Sequence, residues 1–295
     1  MAMRAVFAMA RWEDGIALEA GAPHNPQHIG GVGDYLDQDA GEIAWRSYSS
    51  DPITALVARD PAPLPSAEDR EGYYGPNHFN YWASGFVDYA IVARWLEERG
   101  VPLRDYMDMG CASGRVLRHF ASQATDVSVV GCDINRRHVD WCAAYMPPGV
   151  RVFQNTSLPH LPLPGESLDL ITAFSVFTHV ESFDTSWMME LRRLLRPGGI
   201  AWVTVHGDRT WREIDKTWPL YVPLTSHPDF IKYKGVAELP EDRLVFRWIS
   251  ETSYSANVFY RYSYIRKVWG RFFDVVDIFP ATPAYQDVVV LRRPD

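Results

Sequence analysis

From residue 85 to residue 205 short apolar runs alternate with longer runs that are apolar on one helical face. This order constrains the fold more than any other feature of the chain. "GFVDYAIVARWLEERG" opens the series, with Phe86, Tyr89, Val92, Ala93 and Leu96 on one helical face and Gly100 as a stop. "RDYMDM" reads as a strand, "GRVLRHFASQ" as a helix, "DVSVVGCD" as a strand, "RRHVDWCAAYM" as a helix and "VRVFQ" as a short strand. "SLDLITAFS", "DTSWMMELRRLL" and "GIAWVTVH" continue as strand, helix and strand. Strands that alternate with helices pair in parallel, and the helices cover both faces of the sheet. The order breaks after His206 and returns with "YSYIRKVWGRFF" as a helix, then "DVVDIF" and "QDVVVLRR" as closing strands. The expectation is an α/β protein with a seven-stranded, mostly parallel sheet.

Four segments follow from this reading. Residues 1–84 form an N-terminal extension, because "GAPHNPQHIGGVGDYLDQDAGE" and "RDPAPLPSAEDREG" have loop or linker composition, with a short helix around Pro52 to Arg59. Residues 85–206 form the core, 207–250 an insertion without clear period, and 251–295 complete the core sheet. No internal repeat is present.

The whole chain excludes several classes. It has 295 residues, 47% of them hydrophobic, enough for a sizeable core. A net charge of −8 argues against nucleic acid or an anionic membrane as a partner. Cys111, Cys132 and Cys142 show neither a disulfide framework nor metal-ligand spacing, which fits a reducing compartment. No apolar run approaches the ~20 residues that span a bilayer. Arg4 and "AVFAMA" are followed by Glu13 and Asp14 with no cleavage pattern, so no signal peptide and a cytoplasmic location are expected. The 11 Trp, 15 Tyr and 14 Phe are the unusual part of the composition; aromatics dominate cores and also line small-molecule pockets.

The candidate site starts at "YMDMGCASGRVLRHFA", where an apolar run ends at Asp108 and Gly110, Ala112, Ser113 and Gly114 follow in one turn. Small residues let backbone approach a ligand, and in an open parallel sheet ligands sit beyond the carboxyl ends of the strands. The spacing is neither that of a pyrophosphate-binding GxGxxG nor that of a P-loop. "VVGCDIN" ends the next strand in Asp133, about 20 residues on, where a carboxylate can accept from ribose hydroxyls. Asp133 is also a candidate helix cap for "NRRHVDW".

"DMGCASG" resembles the first motif of the class I S-adenosylmethionine-dependent methyltransferases, with Ala112 in place of the commoner middle Gly. The likeness implies a Rossmann-like fold and S-adenosylmethionine as cofactor, with S-adenosylhomocysteine as product. It continues through "FQNTSLPHLPLPGESLDLI", "AFSVFTHV", "LRRLLRPGGIAWVTV" and "YIRKVWGRFFDVVDIFPATPAYQDVVVLRR". It covers residues 85–205 and about 260–293. By this resemblance Asp108, Gly110, Ala112, Gly114, Asp133 and Ile134 bind the cofactor. Asn155, Thr156, Ser157 and Leu158 would border its adenine, and Phe174 and Ser175 would line it. Arg-Pro-Gly-Gly is a helix stop followed by a turn and carries no chemistry.

The resemblance implies methyl transfer to a small-molecule acceptor, such as a sugar, a glycan precursor or a specialised metabolite, on O or N. A cofactor-binding regulatory or scaffold protein, or an enzyme using the cofactor for other chemistry, is the alternative. No Asn/Asp-Pro-Pro-aromatic motif follows the fourth strand, which disfavours base methylation, and no acidic pair follows it for a metal-assisted transfer. His206, at the end of the fifth strand, is the first candidate for a general base and His179 the second; either can instead be a structural histidine. His24 and His28 lack carboxylate or thiol company, so no metal is expected. In "YYGPNHFNYW", Tyr73, Tyr74, His78, Tyr81 and Trp82 are candidates for a lid whose ring faces suit a sulfonium, or for a packing arm. A homo-oligomer is as compatible with the sequence as a monomer.

Overall fold

The computed structural model describes residues 24–218, 220–248, 256–281 and 285–295. The extreme N-terminus, where no signal peptide is expected, lies outside them. The chain divides into two compact units between Ser157 and Leu158. In the first unit the elements are α1 (Ile53–Ala58), α2 (His78–Glu98), β1 (Asp105–Met109), α3 (Leu117–Ser122), β2 (Ser128–Asp133), α4 (Arg136–Tyr145) and β3 (Arg151–Gln154). The second unit contributes β4 (Leu168–Ala173), α5 (Asp184–Leu194), β5 (Leu195–Val205), α6 (Asp208–Glu213), α7 (Tyr221–Thr225) and α8 (Pro228–Ile231). It continues with β6 (Arg243–Arg247), β7 (Ala256–Tyr260), α9 (Tyr262–Val268), β8 (Asp274–Pro280) and β9 (Asp287–Arg292).

The seven-stranded sheet has the order β3-β2-β1-β4-β5-β9-β8. In the first unit β1, β2 and β3 pair in parallel; in the second β4 and β5 are parallel, while β9 is antiparallel to both β5 and β8. The seven runs read as strands all form strands of this sheet. All six residues of β4 are buried, as are Ile200–Val205 of β5, so these runs read as continuous apolar stretches rather than alternating ones. Among the described residues no helix is long and apolar enough to cross a membrane.

Three expectations need correction. The first core helix begins at His78, not at Gly85. The Asn77 side chain accepts from the Asn80 N–H at 3.0 Å, and Gln38 Oε1 accepts from the N–H groups of His78 (2.8 Å) and Phe79 (3.3 Å). Three of the four N–H groups a helix leaves unpaired at its start are thereby satisfied, and the aromatic segment is wound into the helix. Second, the Arg-Pro-Gly-Gly turn is drawn into β5, as an irregularity between the pairs Leu168–Leu195 and Leu170–Ile200. Third, the insertion is not without period throughout. Its β6 pairs antiparallel with β7 as a separate two-stranded sheet, so this pair straddles the boundary expected at residue 250.

The described part of the N-terminal extension is a core-building element. Val32, Trp45, Leu56 and Leu64 pack with Phe79, Trp82 and Phe86 of α2 in one buried cluster. Beneath it Asp60 and Arg118, both buried, form an ion pair (Nε to Oδ2, 2.6 Å), and the Trp82 indole N–H donates to the same carboxylate at 2.8 Å. Arg118 also donates from Nη2 to the carbonyls of Ala62 (2.5 Å) and Pro63 (3.1 Å), which offsets part of the cost of burying the pair, while its Nη1 is buried without a partner.

Candidate functional site

The turn after β1 is bent by three residues with left-handed backbone: Gly110 (φ 75°), Ala112 (φ 45°) and Gly114 (φ 78°). For Ala112 this conformation is costly, and the local bonding shows what holds it. Its N–H donates to Asp133 Oδ2 at 2.8 Å. The N–H groups of Gly110 and Cys111 both donate to the carbonyl of Cys132, at 2.8 and 3.0 Å. The end of β2 therefore grips the turn at the end of β1 through one carbonyl and one carboxylate.

Asp133 is 6% exposed, and its Oδ1 accepts the Asn135 N–H at 2.8 Å with His138 Nδ1 at 3.4 Å. Asn135, not Asp133, caps α4, its side chain accepting from the Arg137 N–H at 3.0 Å. This answers the alternative reading of Asp133 as a cap. A carboxylate has about four lone-pair positions, so two backbone donors leave it acceptor capacity. Burial opposes charge on His138, but the Asp133 hydrogen bond and the charges of Asp133 and Glu71 outweigh it and raise the pKa.

Ile134 follows on the same strand end, its carbonyl accepting from Gln154 Nε2 at 3.0 Å. The Asn155 N–H donates to the Asp133 carbonyl at 3.1 Å. The first unit thus brings together the turn, Asp133, Ile134 and Asn155, with the half-buried Thr156 and the exposed Ser157 next in sequence. Asp108 is buried on β1, in register with Gly131 of β2.

The aromatic segment is split by the structure. Tyr73 is exposed and Tyr74 half-buried before α2, whereas Tyr81 and Trp82 are buried within it. Tyr81 donates its hydroxyl hydrogen to the Ser113 carbonyl at 2.9 Å, so it braces the turn from below. Gly85, in mid-helix, allows that approach. A Cβ there would lie 1.9 Å from the Arg115 carbonyl oxygen.

Sequence reasoning missed the segment 66–71, which has linker composition. Asp69 is fully buried and accepts from the Gln27 N–H (2.8 Å), Ser66 Oγ (2.9 Å), Arg137 Nε (2.9 Å) and His24 Nε2 (2.5 Å). Burial alone would raise its pKa, but these donors lower it. Its carbonyl accepts from Ser113 Oγ of the turn, and Glu71 Oε1 accepts from Asn135 Nδ2 at 2.9 Å. His24 is thus engaged with Asp69, and His28 lies edge-on to Tyr145 at 5.0 Å. Only the Ser66 bond is local; the other partners of Asp69 are distant in sequence, so no local pattern signals the burial.

In the second unit Leu158 and Phe174 are half-buried. Ser175, exposed with a left-handed φ of 58°, donates its N–H to Thr204 Oγ1 at 2.7 Å. His206 is 2% exposed, with Trp218 and Phe259 rings at 5.1 and 5.0 Å. Its Nδ1 has no hydrogen-bond partner, and burial, then the nearby His179, pushes its pKa down to about 3. The half-buried His179 has Nδ1 2.7 Å from the Ala256 carbonyl oxygen. A carbonyl only accepts, so Nδ1 carries the hydrogen and the ring lone pair is on Nε2.

Residues 107–199 match the model of a methyltransferase domain. The chain is 32% identical over 157 residues to a probable S-adenosylmethionine-dependent methyltransferase of Mycolicibacterium smegmatis, covering 52% of this chain and 54% of that protein. It is 21% identical over 123 residues to a malonyl-(acyl-carrier protein) O-methyltransferase of Hahella chejuensis, covering 42% and 43%. The chain thus spans about half the length of the curated relatives it matches. Among solved structures it resembles the 1,6-didemethyltoxoflavin-N1-methyltransferase of Burkholderia thailandensis, with bound 1,6-didemethyltoxoflavin and S-adenosylhomocysteine. That likeness has a TM-score of 0.50 at 13% identity, covers 93% of this chain and 95% of the other, and bears on the fold alone.

Proposed function

We propose that this chain, whose residues 107–199 match a methyltransferase domain, is a class I S-adenosylmethionine-dependent methyltransferase that methylates a small-molecule acceptor at a hydroxyl or amine. The observation that carries the cofactor half of this reading is the turn itself. Asp133 and Cys132 hold the left-handed turn through the N–H groups of Gly110, Cys111 and Ala112, and the same carboxylate retains acceptor capacity for two vicinal hydroxyls. The cofactor supplies a methyl group already activated on a sulfonium. The chain's own residues then need only bind, orient and desolvate the reactants. Asn155, Thr156, Ser157, Leu158, Phe174 and Ser175 keep the adenine- and cofactor-lining roles that the resemblance implies.

Proton removal from the acceptor is assigned to His179 ahead of His206. A ring with pKa about 3 accepts a proton poorly near neutral pH, whereas His179 has its tautomer set by the Ala256 carbonyl. The acidic chain supports a small acceptor rather than nucleic acid. Calorimetry with S-adenosylmethionine, followed by detection of S-adenosylhomocysteine across sugars, phenols and amines, tests the reading. Binding with acceptor-dependent product release is expected. Absence of binding overturns it, and binding without release from any acceptor turns the reading to a regulatory or scaffold role.

A further inference from the structure

His138, 5% exposed on α4, stands between two carboxylates. Its Nδ1 lies 3.4 Å from Asp133 Oδ1. Its Nε2 lies 4.0 Å from Glu71 Oε1, beyond hydrogen-bond reach, and is buried with no hydrogen-bond partner. A carboxylate only accepts, so in the neutral ring Nδ1 carries the hydrogen and Nε2 is left as a buried lone pair beside a second carboxylate. A second proton turns that lone pair into a donor and charges the ring between two anions.

The other charged groups nearby are committed elsewhere. Arg137 pairs with Glu68 (3.0 Å) and Asp69 (2.9 Å), and Arg70 of the same segment donates to the Gly75 carbonyl and to His78. On α4 itself Arg136 pairs with Asp140 at 2.6 Å. From β3 the neutral Gln154 lies in register with Asp133, and Arg151 lies in register with Val130, three residues away. Burial and Arg137 oppose a charge on the ring, and Asp133 with Glu71 outweigh them.

The acceptor sites of Asp133 are few. The Ala112 N–H takes one on Oδ2 and the Asn135 N–H one on Oδ1, which leaves about one on each oxygen. Nδ1 of His138 faces the same oxygen as Asn135. A neutral ring at 3.4 Å holds it weakly, and a cationic ring holds it more strongly.

We propose that His138 is a positioning residue for Asp133: its protonated ring competes with one ribose hydroxyl of the cofactor for the remaining acceptor site on Oδ1, so that cofactor binding expels the proton. The proposal rests on the cofactor reading above. By linkage, acidification loosens the cofactor, and the cofactor makes His138 a weaker base.

The test is calorimetry on the full chain from pH 8 to 6, with S-adenosylmethionine and with S-adenosylhomocysteine. Wild-type Kd should rise ~5-fold or more across this range for both compounds. His138→Asn keeps an N–H donor near Nδ1 and cannot titrate, so its Kd should lose this rise. The two compounds share their amino-acid end, so its titration cancels between wild type and variant. Glu71→Gln removes the second carboxylate and leaves an oxygen for Asn135 Nδ2; the same rise should appear at lower pH. A wild-type pH dependence kept in His138→Asn overturns the assignment, as does an unmoved midpoint in Glu71→Gln, which also decides the case if His138→Asn fails to fold. A rise seen only with S-adenosylmethionine overturns it too, since repulsion of the sulfonium would then be the cause. Wild type that binds both compounds equally at every pH sinks the proposal and leaves the cofactor reading standing. Wild type that binds neither overturns the transferase reading itself.

Discussion

At the scale of single residues, the turn after β1 depends on one carboxylate doing two things. Asp133 holds Ala112 in a left-handed conformation and fixes the Asn135 N–H that begins α4. An amide in its place would set an NH2 against one of these N–H donors. Asp133→Asn should therefore cost about 1–3 kcal/mol of folding stability in urea denaturation and raise the cofactor Kd ~10-fold or more. A variant as stable as wild type, with unchanged affinity, would remove Asp133 from both roles. Ala112 offers the converse experiment. Glycine accepts φ of 45° without the steric penalty of about 1–2 kcal/mol that a Cβ brings, but loses more entropy on folding. Ala112→Gly should be neutral or stabilising by up to ~1 kcal/mol, and a clearly destabilised variant would show that the Ala112 methyl packs productively.

At the scale of elements, the close approach of α2 to the turn is the contact most exposed to a small change. Gly85→Ala places a Cβ against the Arg115 carbonyl, backbone that has no flexible end to swing away. The helix must lift, so a loss of about 1–3 kcal/mol or more is expected in chemical denaturation, with weaker cofactor binding. Gly33→Ala is the control, since its Cβ would meet nothing within 4 Å, and it should stay within about 0.5 kcal/mol. The strands were legible because each is a short apolar run ended by turn residues, and the turn with Asp133 was legible because both lie at adjacent strand ends. The start of α2 was not. Its signal, Pro76 followed by the capping Asn77, lay inside an aromatic run whose composition also suits a covering segment. Nor was the burial of Asp69 and Arg70. A stretch of Asp, Glu, Pro and Ser reads as solvated until Arg137, Gln27 and Ser113 arrive from far along the chain.

At the scale of the whole molecule, buried histidines set how the fold responds to acid. His119 is enclosed among Trp82, Phe86 and Tyr89, with its Nε2 bonded to the Trp82 carbonyl at 3.0 Å. Burial, despite the opposing charge of Asp60, pushes its pKa to about 3, and His206 in the second unit is held near the same value. In the unfolded chain each titrates near its ordinary pKa of about 6.5. Between about pH 6.5 and 3 the unfolded state therefore binds one more proton per histidine than the folded state, and stability rises with pH. On acidification below about 6.5 each should lower the unfolding free energy by ~1.4 kcal/mol per pH unit. Asp60, Asp69 and Glu190 have lowered pKa values and add losses of the same sign as the pH falls through the carboxylate range. His138 acts oppositely. Its pKa is raised, so its contribution is full below the ordinary histidine value and fades as pH rises through its own. Stability should therefore peak near neutrality. Urea titrations from pH 8 to 4 on wild type, His119→Gln and His206→Gln measure this directly. Each substitution should remove ~1.4 kcal/mol per pH unit from the acid slope. An unaltered slope in either variant would mean that its ring takes up a proton within the fold, which for His206 would restore it as the leading base.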